Sequence, residues 1–241
     1  MERASLEIAR DLSVGDWIRD SLTPWIAFTD VPVSIGIVIP KGFQSYVLVR
    51  HTGKGDHQGS LGAETFERLL RVLSKFTPAS EECFFAMWEG YSWGYPGVPL
   101  TAMRRPRMQR FVQEFILRYG IYQRRKRFVP QPEQPELHTL PSGIMAAERF
   151  KLPNRDYLLA KGPLLEAQKI GHVRWEWFDP QSPNLLWPID RSWILATEID
   201  FDVTLVAGSE KLVEAILSID SLTAQRFSVT DTIEQLRVAE S

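Results

Sequence analysis

The segment Cys83-Phe84-Phe85-Ala86-Met87-Trp88 decides the fold, because it is apolar at every position. Neighbouring side chains of a strand point to opposite faces of its sheet, so a strand formed here would bury both faces. Strands of that kind lie inside a sheet and not at its edge. The segment therefore predicts a central strand.

Further strands are predicted where β-branched and aromatic residues cluster between turn residues. These segments are Ser34 to Ile39, Gln44 to His51, Asp156 to Ala160, Val173 to Phe178, Trp193 to Asp200 and Val203 to Ala207. Alternation near the end of the Trp193 segment indicates that one of its faces meets solvent.

Three segments have the apolar spacing of helices. The first follows Gly62, places Phe and Leu side chains on one stripe and stops at Pro78. The second covers residues 106–119. The third begins at about Glu210, with Ser209 as its N-cap.

The helices and strands follow one another without a regular βαβ rhythm. We therefore predict an α+β fold with a mixed or antiparallel sheet and about three packed helices. We expect one domain over residues 1–241, with a variable helical and proline-rich excursion over 97–148. A boundary near residue 130, within the extended segment VPQPEQPE, is the alternative.

Composition excludes several classes of protein. The 241 residues are 44% hydrophobic and 24% charged, as in ordinary globular proteins. No apolar run approaches the ~20 residues that span a bilayer, so a membrane protein is not expected. The start of the chain lacks the apolar part of a signal peptide, and Cys83 is the only cysteine, so we expect a cytoplasmic protein.

The segment Gly90-Tyr91-Ser92-Trp93-Gly94 matches the G-x-S-x-G pattern of a nucleophile elbow and follows a predicted strand. An acid and a base could come from Asp156, Asp179 or Asp190 and from His138 or His172. The prolines at 96 and 99 prevent the helix that should follow the serine. A glycine-rich aromatic loop is therefore the favoured interpretation, and a hydrolase that uses Ser92 is the alternative.

Two clusters have side chains that ligate metals. They are His51, Asp56 and His57, and Glu198, Asp200 and Asp202. The second cluster would share one face of a strand, where three carboxylates repel one another unless a cation or solvent screens them. A polar turn and a solvated sheet face are the favoured interpretations, and a metal-dependent hydrolase is the alternative.

The stretch 104–127 is strongly basic, with nine Arg and Lys residues against Glu114 in a chain of net charge −2. Such asymmetry is typical of a nucleic-acid or acidic partner. The aromatic residues of the predicted helix point away from its basic flank, so they do not form stacking platforms. Nucleic-acid binding through residues 104–127 is therefore the third interpretation.

Three groups of motifs occur together: WEGY at 88–91, LPNRDYLL at 152–159, and SPNLLWP at 182–188 followed by DRSW and TEID. Together they resemble a family of uncharacterised bacterial proteins, largely actinobacterial, over most of residues 33–220. The resemblance implies bacterial origin and a cytoplasmic location, and it supplies no catalytic residues. It draws attention to polar groups in aromatic surroundings, which we predict to form a binding surface: Trp88, Glu89, Tyr91, Arg155, Tyr157, Asn184, Trp187, Asp190, Arg191 and Trp193.

Buried charges need partners, so ion pairs are predicted within this set. The charged residues expected to pair are Glu89, Arg155, Asp190 and Arg191. The pairs would brace the sheet edge and the tryptophan-rich loop.

No complete triad, metal motif, dinucleotide fingerprint or P-loop occurs in the sequence. We therefore predict a cytoplasmic binding or interaction protein, immunity-like by analogy, without a cofactor or a catalytic site. Its expected partner is another protein or a small ligand, and neither nucleic acid nor a membrane is expected.

Overall fold

The structure, a computed structural model, describes residues 6–24, 34–78, 82–91, 137–153, 155–174, 177–233 and 235. Its three described α-helices are α1 (Asp16–Ser21), α2 (Ala63–Leu73) and α3 (Glu210–Leu217). None of these helices is long and apolar enough to cross a membrane. Ser92, the basic stretch 104–127 and the predicted second helix lie outside the described residues.

Twelve strands occur in the described part of the chain. They are β1 (Glu7–Ile8), β2 (Ser45–Arg50), β3 (Glu82–Trp88), β4 (Leu137–His138), β5 (Phe150–Leu152), β6 (Arg155–Pro163), β7 (Gly171–Arg174), β8 (Trp177–Pro180), β9 (Leu185–Pro188), β10 (Ile194–Ala196), β11 (Val203–Gly208) and β12 (Ala224–Arg226). Nine of them form one sheet in the order β1-β6-β3-β9-β10-β11-β2-β12, with β5 also paired to β6. All of their described pairings are antiparallel, so the predicted α+β fold is confirmed.

Strand β3 lies inside this sheet, as its apolar sequence predicts. It pairs with β6 on one side and β9 on the other. Phe85 and Met87 belong to the core on one face of the sheet, and Phe84 and Ala86 belong to the core on the other face. The sheet therefore carries a hydrophobic core on both sides.

Helices α2 and α3 contribute to the first core. The predicted apolar stripe of α2 is buried at Phe66, Leu69, Leu70 and Leu73. Helix α3 begins as predicted, because the Ser209 hydroxyl accepts a hydrogen bond from the backbone N–H of Leu212.

The second core contains α1 and the segment 34–40. The predicted strand over Ser34–Ile39 is wrong, because Ile35–Ile37 forms a 3-10 helix. The Ser34 side chain accepts from the N–H of Gly36, which favours a turn, while Ile35 and Ile39 are fully buried. Burial of these β-branched side chains, and not strand pairing, therefore accounts for this apolar run.

Two other predicted strands have different limits in the structure. The segment Val173 to Phe178 is the hairpin of β7 and β8, and Trp193 to Asp200 retains only β10. In the range of the predicted excursion, Leu140 and Ile144 are buried in the first core. The later part of that range therefore packs with the fold, and the division into domains stays a prediction.

Candidate functional site

A pocket of about 150 Å³ opens at one end of the sheet. Its walls are mainly apolar and include Ile37, Leu185 and Phe201, while Arg155 and Glu198 supply its main charged groups. We name it the Arg155 pocket. It forms because the start of β6, the start of β9 and the end of β10 lie at the same end of the sheet.

The charged side of the pocket is an ion cluster of one base and two acids. Arg155 donates to Glu198 Oε1 from Nη2 at 2.7 Å and from Nε at 3.2 Å, and to Asp200 Oδ2 at 3.0 Å. The side chains of Arg155 and Glu198 are 21% and 18% exposed, whereas that of Asp200 is 69% exposed. One cation therefore faces two carboxylates, and the cluster carries surplus negative charge at its exposed side.

Aromatic residues surround the cluster. The Arg155 guanidinium carbon lies 5.9 Å from the centroid of the Trp88 ring, as in a cation–π contact. Tyr91 packs edge-on against Trp88, with 5.3 Å between the ring centroids. These half-buried residues are members of the predicted binding surface that the structure brings together.

Asn184 connects the strands behind the pocket and is almost fully buried. Its Oδ1 accepts from the backbone N–H of Trp88 at 2.8 Å. Its Nδ2 donates to the Thr197 carbonyl at 3.1 Å and to the Tyr91 hydroxyl at 3.3 Å. Asn184 therefore positions three chain segments.

The two tyrosines of the site are held in their neutral form. Burial raises the pKa of the Tyr157 hydroxyl, the nearby Glu198 carboxylate raises it further, and Arg155 acts in the opposite direction. Burial also raises the pKa of Tyr91. Neither phenol is therefore suited to act as a base at neutral pH.

Two of the four charged residues that were predicted to pair do form ion pairs, but with residues outside the predicted set. Arg155 pairs with Glu198 and Asp200, and Glu89 pairs instead with Arg149 at 3.1 Å. The reason is that strand order determines which loops meet, and no sequence motif encodes that order. Arg149 was missed because it lies outside the motifs.

Asp190 and Arg191, the other two charged residues of the predicted set, do not form an ion pair with each other. Asp190 Oδ1 accepts from the backbone N–H of Ser192 at 2.9 Å and closes the β9–β10 turn. The Arg191 guanidinium instead lies over the ring of Trp17, with 5.8 Å to its centroid.

Trp187 and Trp193 are not part of a binding surface, because both are fully buried. Trp187 stacks on Phe84 with 5.5 Å between ring centroids, and Trp193 Nε1 donates to the Thr77 hydroxyl. The prediction that these two residues contact a ligand is therefore wrong. Their role is in the two cores of the sheet.

Neither predicted metal cluster is formed. Within the described residues, no group of three or more His, Cys, Asp and Glu side chains could hold a metal ion. The Asp56 carboxylate instead accepts from the N–H groups of Gly53 and Gly62 and from the Thr65 hydroxyl. Its oxygens stabilise a loop, which leaves the set of His51, Asp56 and His57 without a shared ligand geometry.

The second predicted metal cluster fails because its acids do not share a strand face. Strand β10 ends at Ala196, and Glu198 lies in a turn that closes with a hydrogen bond from Phe201 N–H to its carbonyl. Arg155 pairs with Glu198 and with Asp200, and Asp202 is exposed.

The comparisons with known proteins find no significant match to a family model, to a curated protein or to a solved structure. The resemblance to a bacterial family therefore stays a prediction that depends on its motifs.

Proposed function

We propose that the chain is a non-catalytic binding protein of the bacterial cytoplasm whose Arg155 pocket accepts one apolar side chain of a protein partner. The size of the pocket supports this proposal. A dry cavity of ~150 Å³ holds a molecule as large as benzene, which is comparable with a leucine or phenylalanine side chain. Single anchor side chains of this kind supply much of the energy of protein interfaces.

The ion cluster specifies the chemistry next to the anchor. Because Arg155 faces both Glu198 and Asp200, the surplus charge is negative, and the more exposed acid is Asp200. A lysine or arginine beside the anchor of the partner would pair with this charge. The expected partner therefore presents an apolar residue next to a basic one.

The observation that carries the proposal is that the charged groups of the pocket, Arg155, Glu198 and Asp200, are already paired with one another. Arg155 is held by two acids, Asn184 contacts three segments, and the pKa of Tyr157 is raised by burial. Catalysis needs a nucleophile or base that is poised toward a substrate. Groups that hold one another in place are better suited to recognition, and a toxin-neutralising role would be one form of it.

Small probes test the pocket directly. We expect NMR titration to show saturable binding in the order benzylammonium, benzyl alcohol and benzoate, since the ring fills the pocket and the cluster selects for positive charge. Ile37→Trp should fill the mouth and abolish binding, whereas Ile189→Trp, at a site that is 52% exposed, should leave it unchanged. Strongest binding of benzoate, or equal effects of the two variants, would contradict the proposal.

A second experiment tests the protein partner. The wild-type chain and the same two variants would be used to capture proteins from a bacterial lysate. We expect a partner that Ile37→Trp loses and Ile189→Trp retains. The other outcome is that benzylammonium binds but no captured protein is missing specifically from the Ile37→Trp sample. The natural occupant is then a small cation and not a protein.

The two remaining interpretations depend on other residues. The Ser92 hydrolase and the nucleic-acid binder of residues 104–127 both require parts of the chain outside the described residues. They stay predictions.

A further inference from the structure

A second cavity of about 410 Å³ opens to solvent away from the Arg155 pocket. Trp17, Lys41, Phe43 and Arg191 line it, and we name it the Arg191 cleft. None of these residues lines the Arg155 pocket. The inference below therefore goes beyond the proposed function and does not depend on it.

The cleft has two positive charges and no carboxylate among its lining residues. Lys41 and Arg191 are both exposed, and neither forms an ion pair with a described residue. The nearest acid along the chain, Asp190, uses its Oδ1 to accept from Ser192 N–H. Two cations in one concave site, with no ion pair to a described acid, attract a multiply charged anion.

The backbone of Arg191 is held in a conformation that disfavours its own side chain. Its φ is +57°, and it is the only non-glycine residue of the described chain with a positive φ. The residue follows a tight turn, because its N–H donates to the Pro188 carbonyl at 2.9 Å. A residue with a Cβ costs ~1 kcal/mol here relative to glycine, so the fold holds the guanidinium at this site at a cost to the backbone, as is typical of functional positions.

Two aromatic side chains form part of the wall. Trp17 and Phe43 lie with ring centroids 6.1 Å apart, and the Arg191 guanidinium lies over Trp17. Stacking of this kind fixes the plane of the guanidinium, whose donor fork matches phosphate oxygens. The Trp17 N–H has no acceptor among the described residues.

We propose that the Arg191 cleft binds a small organic phosphate monoester. Its phosphate contacts Lys41 and Arg191, and its organic part packs against Trp17 and Phe43. A phosphate monoester carries a charge of about −2 at neutral pH, which matches the two cations, whereas a carboxylate carries only one. Because the cleft combines cations with aromatic walls, it favours phenyl phosphate over inorganic phosphate.

Calorimetric titration of the full chain with phenyl phosphate tests the proposal. Arg191→Gly and Lys41→Gln should each weaken binding by about tenfold or more, since each removes a charge-assisted contact. Glycine is compatible with a positive φ, so Arg191→Gly should fold with a Tm at or above that of the wild type. Lys75→Gln, which removes an exposed charge on the 3-10 helix after α2, is the matched control and should leave binding unchanged.

The proposal holds if phenyl phosphate binds more tightly than inorganic phosphate and benzoate, and if only the two cleft variants weaken it. Absence of saturable binding would overturn it. So would equal affinity for phenyl phosphate and inorganic phosphate, an effect of Lys75→Gln equal to that of the cleft variants, or an unchanged affinity in either cleft variant.

Discussion

The indole N–H of Trp193 donates to the hydroxyl of Thr77 at 2.9 Å, deep in the first core of the sheet. The equally buried N–H of Trp187 has no acceptor among the described residues. A buried polar group without a partner destabilises the folded state by ~1–3 kcal/mol. The two tryptophans therefore make different contributions to stability although they have the same exposure.

We predict that Trp187→Phe destabilises the protein by ~1–3 kcal/mol less than Trp193→Phe. Both changes lose apolar contacts, but the first also removes an unpaired donor, while the second leaves the Thr77 hydroxyl without its donor. Urea unfolding measures the two free energies. Thr77→Val provides a control and should destabilise the wild type more than it destabilises the Trp193→Phe variant. Equal losses for the two tryptophans would contradict the prediction.

The half-buried pair of Arg155 and Glu198 should couple more strongly than an exposed pair. Because desolvation strengthens the attraction between the charges, a double-mutant cycle with Arg155→Met and Glu198→Gln should give a coupling energy on the order of 1–3 kcal/mol. The exposed pair of Arg71 and Glu67 on α2 is the matched control. Its coupling should be below ~0.5 kcal/mol. Similar values for the two pairs would show that the cluster is effectively solvated.

Asn184 should be among the most sensitive polar positions of the fold. Replacement by alanine removes three hydrogen bonds, including those to the Trp88 N–H and the Thr197 carbonyl, so we expect a loss of ~2–4 kcal/mol. Chemical denaturation measures the loss. Asn184→Leu separates the two causes, because it fills the site with a branched apolar side chain, somewhat larger than that of asparagine, that forms no hydrogen bonds. Near-wild-type stability of this second variant would show that volume, and not hydrogen bonding, determines the role of Asn184.

Local patterns were enough to predict the elements that bury a regular face. Strand β3 is apolar on both sides, α2 has one apolar stripe, and Ser209 in the sequence indicates the N-cap of α3. The segment Ser34–Ile39 shows why such patterns fail elsewhere. Its β-branched residues are typical of a strand, but their side chains are buried against the sheet through contacts with residues far along the chain.

The candidate site could be predicted only in part, because its partners come from distant segments. Arg155 is separated by 43 residues from Glu198, which the acidic alternation placed on a solvated strand face, with a metal cluster as the alternative. Their contact depends on the order β6-β3-β9-β10, which places the start of β6 and the end of β10 at the same end of the sheet. The motifs of the family resemblance drew attention to Trp88 and Tyr91 beside Arg155, but the same motifs also selected the fully buried Trp187 and Trp193.

The protonation of His51 should make stability depend on pH. Its Nδ1 lies 2.8 Å from the His57 carbonyl, which can only accept, so Nδ1 carries the proton and Nε2 can accept from the Thr204 hydroxyl. Burial is the main cause that lowers the pKa of His51 from its ordinary value of 6.5. The unfolded chain therefore binds a proton more readily, and the contribution of His51 is present above pH 6.5 and is lost as pH falls through the folded-state pKa.

We expect the free energy of unfolding to fall between pH 6.5 and the lower pKa of the folded state. His51→Asn, which keeps an N–H donor but does not titrate, should reduce this fall. Urea unfolding at a series of pH values measures both slopes. The difference between wild type and variant isolates His51, because every other titrating group is common to the two proteins. A variant slope equal to that of the wild type would show that His51 is protonated as easily in the folded state as in the unfolded chain.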